Sequence, residues 1–187
     1  MTHAIDIELQ KRFDTDTLKW VEGFIWRFKN ERLKRLIREV WGRLPAYDRY
    51  ALTELVLEMN EGQTGCENTI ASTEGIDIEN MWSVVSLGGV KDIKSDDAAA
   101  YVIAHEFAHV LCRHTMVSAV LGFLSRLDVY ADDDFENINE YHEDQADLMA
   151  WVWGFQDELL AFQDEFPEAR RPCWFFALST EEVTNDD

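Results

Sequence analysis

The stretch "AAAYVIAHEFAHVLCRH", residues 98–114, decides how the rest of the chain is read. His105 and His109 stand four apart, with Glu106 beside the first. Four residues along an α-helix turn the side-chain direction by only about 40° and climb about 6 Å, so both imidazoles project from one face. Two ring nitrogens can then reach a single zinc ion at about 2.1 Å each. Glu106 is turned about 100° from His105, away from the ligand face, yet close enough to take a proton from a water. Two ligands and one general base on a single helical turn are the physical content of His-Glu-x-x-His.

The flanks support a helix here. "KSDDAAAY" (94–101) offers Ser95 or Asp96 as N-cap with acids in the first turn, and the helical pattern runs on to about Arg126. Before it, "MWSVVSLGGV" (81–90) reads as a strand. Its place just ahead of the histidines predicts an edge strand beside the cleft, holding an extended peptide by main-chain pairing. A catalytic zinc also needs a third protein ligand and an open fourth position. "NEYHEDQADLMAW" (139–151), on a helix predicted from about Glu140 to Phe166 and ended by Pro167, offers Glu143 as that ligand. Asp147, one turn on, can accept the outer ring N–H of one histidine, and the small Ala146 lets the two helices approach. His142 is a rival to Glu143. The two point about 100° apart, so only one can face the metal, and the Ala-Asp that follows favours Glu143.

His105-Glu106-Phe107-Ala108-His109 followed by Glu143-x-x-Ala146-Asp147-x-x-Ala150 resembles the gluzincin metallopeptidases, over roughly residues 81–155. It is most similar to the ImmA/IrrE-like group and more distantly to the membrane-linked HtpX-like type. The resemblance implies an α+β zincin core: a small sheet, an active-site helix and a glutamate-bearing helix. It also implies Zn2+ and peptide-bond hydrolysis, with His105, His109 and Glu143 as metal ligands, Glu106 as catalytic base and Asp147 supporting a ligand from behind.

Other residues carry weaker signals. His114 lies about 140° round the helix from His109 and is predicted to point away, at the surface. An oxyanion donor is needed, and Tyr141, Tyr130, His142 and Arg126 are candidates. Residues 127–139 read as an acidic loop. Its run Asp132-Asp133-Asp134-Phe135-Glu136 lacks the glycine and spacing of a calcium loop. The seven tryptophans read as core.

Towards the N-terminus, residues 17–43 read as one long amphipathic helix stopped by Pro45, with a second helix from Asp48. "ELVLEM" (54–59) could instead be a strand. Residues 60–80 are rich in Gly, Thr, Asn and Glu and read as loop or short hairpin. The whole is expected to be a single domain over 1–187: an N-terminal helical segment (1–60), a catalytic core (81–166), a C-terminal segment "RPCWFFAL" packing back, and a frayed tail (180–187).

Composition sets the bounds. With 187 residues, 47 % hydrophobic and 12 % aromatic, the chain can bury a sizeable core. The longest near-apolar runs, 116–124 and 148–155, fall far short of the ~20 residues that cross a bilayer. No apolar leader segment is visible. Cys66, Cys112 and Cys173 form no CxxC pair, which fits a reducing, cytoplasmic setting. The net charge of −20 is uneven: residues 1–50 carry 11 Lys+Arg against 8 Asp+Glu, the remainder 6 against 29. Such a surface repels nucleic acid and anionic membrane and favours a basic protein or peptide partner. The leading expectation is a zinc endopeptidase. The alternative is a zincin-fold binding or regulatory module with weak or no catalysis and an acidic interaction surface. A third reading is an all-helical interaction protein with chance histidines.

Overall fold

The computed structural model describes residues 15–62, 70–77, 82–125 and 132–169, and all structural statements concern these. The expected C-terminal segment and tail lie outside them, as do Cys66 and Cys173. The described residues form an α+β arrangement, mostly helical, with one small sheet.

The single helix expected over 17–43 is two. A first helix, α1, covers 15–25, and α2 covers Glu31–Arg43. The break has a cause in the side chains. Asn30 caps α2, its side chain accepting from Leu33 N at 3.0 Å. The Glu61 carboxylate accepts from the backbone N–H groups of Lys29 and Asn30 (2.7 and 3.1 Å), holding the chain in its turn. The apolar period continues across the break because Val21, Ile25, Phe28, Leu33, Leu36, Ile37, Val40 and Trp41 are buried on both sides of it. Helix α3 (Ala46–Leu55) follows Pro45.

"ELVLEM" resolves into both of its readings. The helix ends at Leu55, and β1 is Val56–Asn60. β-branched Val56 opens the strand, and Leu57 sits at an irregularity in its pairing. β2 (Ser72–Asp77) arises within the segment read as loop or hairpin, and β3 is Trp82–Ser86. The sheet order is β1-β3-β2, with β1 parallel and β2 antiparallel to β3. Residues 82–86 are therefore the central strand and not the edge strand expected. A strand with Val85 fully buried and Ser83 and Ser86 nearly so suits the middle of a sheet. The edge next to the histidines is β2.

A 3-10 turn (Gly88–Asp92) leads into α4 (Asp96–Leu111), the axis of the molecule. Gly89 N donates to Ile70 O at 2.9 Å, and the backbones meet so closely that a Cβ on Gly89 would lie 2.6 Å from that oxygen. Ser95 caps α4, its hydroxyl accepting from Ala98 N at 3.2 Å. Two distant residues clamp the same end. Arg32 donates to Asp96 Oδ1 (2.6 Å) and to the carbonyls of Ile93 and Ser95 (2.8 and 3.2 Å). Glu165 accepts from the backbone N–H of Lys94 and Ser95 (2.7 and 2.9 Å). Ala98–Ala104, Phe107, Ala108 and Val110 are all buried, so α4 is covered on nearly every side.

The helix expected to reach Arg126 breaks at Cys112–Arg113, where Arg113 adopts φ 61°, and α5 runs His114–Ser125. The expected acidic loop is corrected too: α6 covers Asp132–Val152, so the acidic run 132–136 is helical. Acids in a first helical turn favour the helix dipole, which explains why a charged, glycine-free run can begin a helix. α6 ends at Trp153–Gly154 instead of reaching Phe166. Gly154 has φ 91°, with Phe155 N bonding to Ala150 O and Gly154 N to Trp151 O, a Schellman ending. α7 (Gln156–Glu165) then packs on α4. Arg43 binds this corner through Gly154 O (2.5 Å) and Glu158. One continuous set of buried residues links α1, α2, α3, α4, α6, α7 and the sheet, with Trp41 edge-on to Phe107 at 5.7 Å and stacked on Trp20. Trp41 and Trp153 are core as expected, whereas Trp26 and Trp82 are exposed. No helix among the described residues is long and apolar enough to cross a membrane.

Candidate metal centre

α4 presents His105 and His109 one turn apart, and α6 presents Glu143 and Asp147 in the same way. Ala146 and Ala150, both fully buried, let α6 lie against α4. The packing brings three donors together. His105 Nε2 lies 2.9 Å from His109 Nε2 and 3.1 Å from Glu143 Oε2, and His109 Nε2 lies 3.4 Å from Glu143 Oε1. A tetrahedral ion with bonds of about 2.0–2.1 Å sets its donors roughly 3.3 Å apart. Two imidazole nitrogens and a carboxylate at these separations fit three corners of such a site, and among the described residues this group alone has the composition and spacing to hold a metal ion.

Electrostatics agree with a site that wants positive charge. Burial disfavours an imidazolium at His105, yet bonds to Asp147 and Glu143 outweigh it and push its pKa up to about 10. Burial alone would raise Glu143, but its bonds to His105 and His109 hold the carboxyl far below the usual range. Without a metal, a proton on His105 serves; a divalent cation satisfies the same donors more fully.

The support around the donors is specific. His105 Nδ1 lies 2.7 Å from Asp147 Oδ1, which also accepts from the Tyr101 hydroxyl. This aims His105 Nε2 at the other two donors. Glu106 is buried, and its Oε2 accepts from the Thr73 hydroxyl at 2.7 Å, so edge strand β2 orients the expected base.

His114 overturns its expected surface position. The left-handed turn at Arg113 swings it back, and it is 3 % exposed. Its Nδ1 is 2.9 Å from His109 Nδ1, its Nε2 is 2.9 Å from Gln145 Oε1, and its ring stacks on His142 at 4.3 Å. Burial, with His109 and His142 adding to it against the Gln145 bond, lowers its pKa to about 4. The spacing to His109 was visible, but phase along an unbroken helix gave the wrong direction. Nothing in the local sequence around Thr73 marked it.

The donors stand between two compartments. A cleft of about 700 Å3 is lined by Ser72, Thr73 and Glu74 of β2 and by His114, Ser118 and His142 on the far side. A smaller hollow of about 360 Å3 is walled by Ile70, Ala71, Tyr101, Val102 and Phe162. His105, Glu106 and Glu143 line both. Of the four oxyanion candidates, His142 lines the cleft, and burial lowers its pKa. Tyr141 is 60 % exposed, its hydroxyl accepting from Gln145 at 2.8 Å. Arg126 and Tyr130 lie outside the described residues.

Comparison with protein families, curated proteins and solved structures returns no match. The reading of this site therefore rests on its own residues.

Proposed function

We propose that this chain is a zinc-dependent metallopeptidase with a zincin-like core of gluzincin arrangement, hydrolysing peptide bonds of a protein substrate. One observation supports it above the others. Three donors suited to zinc open onto a cleft that a buried glutamate, not one of the three, also lines. A purely structural zinc site is closed by four protein ligands and has no use for an oriented carboxylate beside it.

The residues divide the work. His105, His109 and Glu143 hold the metal. When bound, zinc supplies the Lewis acidity that polarises a carbonyl and makes water nucleophilic at neutral pH. Glu106 takes the proton of the attacking water, and Thr73 holds its Oε2 so that the carboxylate keeps one orientation. The substrate backbone pairs with β2, the edge strand at the cleft, in the role first expected of residues 82–86. His142, in the cleft wall, donates to the developing oxyanion. The walls of the smaller hollow suit an apolar side chain next to the scissile bond. The scattered cysteines, with no CxxC pair, favour a reducing, cytoplasmic setting.

Two variants test the reading. His109→Ala removes a ligand, and elemental analysis should show the zinc lost. Glu106→Gln should keep zinc and fold while hydrolysis of an unstructured protein falls about 10²–10⁴-fold. Zinc retained by the first variant, or wild-type turnover by the second, refutes the mechanism. A wild-type chain that binds zinc and cleaves nothing favours the binding-module alternative.

A further inference from the structure

The two histidine ligands are oriented in different ways. His105 has the arrangement anticipated, a carboxylate behind its ring. Behind His109 stands another imidazole, that of His114, with Nδ1 facing Nδ1 at 2.9 Å. Two nitrogens at that distance share one proton: one must donate and the other accept.

Which of them donates is decided further out. His114 Nε2 lies 2.9 Å from Gln145 Oε1, and a carbonyl oxygen only accepts. His114 Nε2 therefore carries a hydrogen. A neutral imidazole protonated there has a bare Nδ1, which must accept from His109 Nδ1–H. His109 protonated at Nδ1 has a bare Nε2, the nitrogen 2.9 Å from His105 Nε2 and 3.4 Å from Glu143 Oε1. The other end of the same amide is also engaged, with Gln145 Nε2 donating to the Tyr141 hydroxyl oxygen at 2.8 Å. One directed chain, Gln145–His114–His109, ends at the lone pair a metal needs.

We propose that His114 is a positioning residue for His109: it fixes the ring and the tautomer that turn His109 Nε2 toward the metal, and Gln145 sets its direction. This rests on the reading of His109 as a ligand. A neutral partner also suits the charge of the site. Asp147 and Glu143 already place two carboxylates at these donors, and a third behind His109 would bury another negative charge. The stacked His142 ring keeps the His114 plane in register.

The test is zinc affinity of the full-length protein, measured by competition with a chromophoric chelator, for wild type, His109→Ala, His114→Leu, His114→Gln and Gln145→Leu. Removal of a ligand's outer hydrogen-bond partner typically costs about 10–100-fold in metal affinity. His114→Leu should fall in that range. His114→Gln, whose amide oxygen can accept from His109 Nδ1–H, should recover most of the loss, which a defect of packing alone would not allow. Gln145→Leu keeps the His114 ring but frees its tautomer, and should weaken zinc to a smaller degree. Nitrogen-15 NMR of the zinc-loaded wild type should show His114 protonated at Nε2 and His109 at Nδ1. This spectrum tests the inference even where a variant fails to fold. His114 protonated at Nδ1, or a folded His114→Leu with wild-type affinity while His109→Ala has lost zinc, overturns this inference and leaves the metal site standing. Zinc retained by His109→Ala overturns both.

Discussion

Asp147→Asn isolates a single charge behind the metal site without changing shape. Asp147 is 4 % exposed and accepts two hydrogen bonds at Oδ1, from the Tyr101 hydroxyl and from His105 Nδ1 at 2.7 Å. Hydrogen bonds to a charged partner contribute about 1.5–3 kcal/mol and neutral ones about 0.5–1.5, so the exchange loses about 1–1.5 kcal/mol at His105. The amide also brings N–H donors into a buried position built for an acceptor, at a further cost of about 1–3 kcal/mol if one is left unpaired. Part of this falls on the metal: zinc affinity should drop about 10–100-fold by chelator competition. The rest falls on the fold. In the metal-free protein His105 titrates near 10, above its ordinary 6.5. A raised folded pKa stabilises fully below about pH 6.5, and that contribution is lost as pH rises through about 10. The difference in urea stability between metal-free wild type and Asp147→Asn should therefore be largest at and below about pH 6.5 and shrink steadily as pH rises from there towards about 10. An affinity within twofold of wild type, or a stability gap that widens with alkali, would refute the assignment of Asp147 as the anionic support of His105.

Gly89→Ala should destabilise by about 1–3 kcal/mol in urea unfolding, because its Cβ would meet the Ile70 backbone oxygen at 2.6 Å and Cα at 2.8 Å and neither can swing aside. Gly23→Ala in α1 is the control: its Cβ meets nothing within 4 Å, so the helix should gain about 0.5–1 kcal/mol, and equal effects at the two sites would contradict the close backbone contact. Substrate charge is a further prediction. Nine acids lie between Asp128 and Asp147, Glu74 lines the cleft, and the chain carries −20. Peptides rich in Lys and Arg should be cleaved faster than matched acidic ones at low salt. The preference should fade as screening shortens to about 8–10 Å, and equal cleavage at every ionic strength would remove the acids from substrate selection.

What the sequence could disclose depended on whether the signal was local. His105, Glu106 and His109 were legible because helical periodicity carries a four-residue spacing directly into space, and Glu143 and Asp147 for the same reason. Ser95 as a cap was equally local. Breaks within apolar patterns were harder. The period of buried residues runs straight through Phe28; Asn30, which caps α2, was a local mark of the break, but the Glu61 carboxylate that also holds the turn lies far along the chain. Gly154 was a local signal passed over, since a glycine followed by an apolar residue is what a Schellman ending requires. Arg113 offered none: a left-handed arginine has no sequence signature, and through it His114 was sent to the wrong side. The place of β3 in the sheet depended on β2, whose Ser, Thr, Glu and Gly residues look like loop until a partner strand supplies their hydrogen bonds.

The clamp on the first turn of α4 has a temporal meaning. Arg32 reaches Asp96 across 64 positions, and Glu165 reaches Ser95 across 70 in the other direction. A chain emerging from the ribosome can form the histidine turn early, but the helix that bears it is secured only once α7 has been made, and Glu143 arrives shortly before. Assembly of the donors thus waits on nearly the whole described chain. A nascent or truncated polypeptide lacking α7 would hold its histidines without the geometry to gather a metal ion, so the capacity of the site would appear only once α7 has been made.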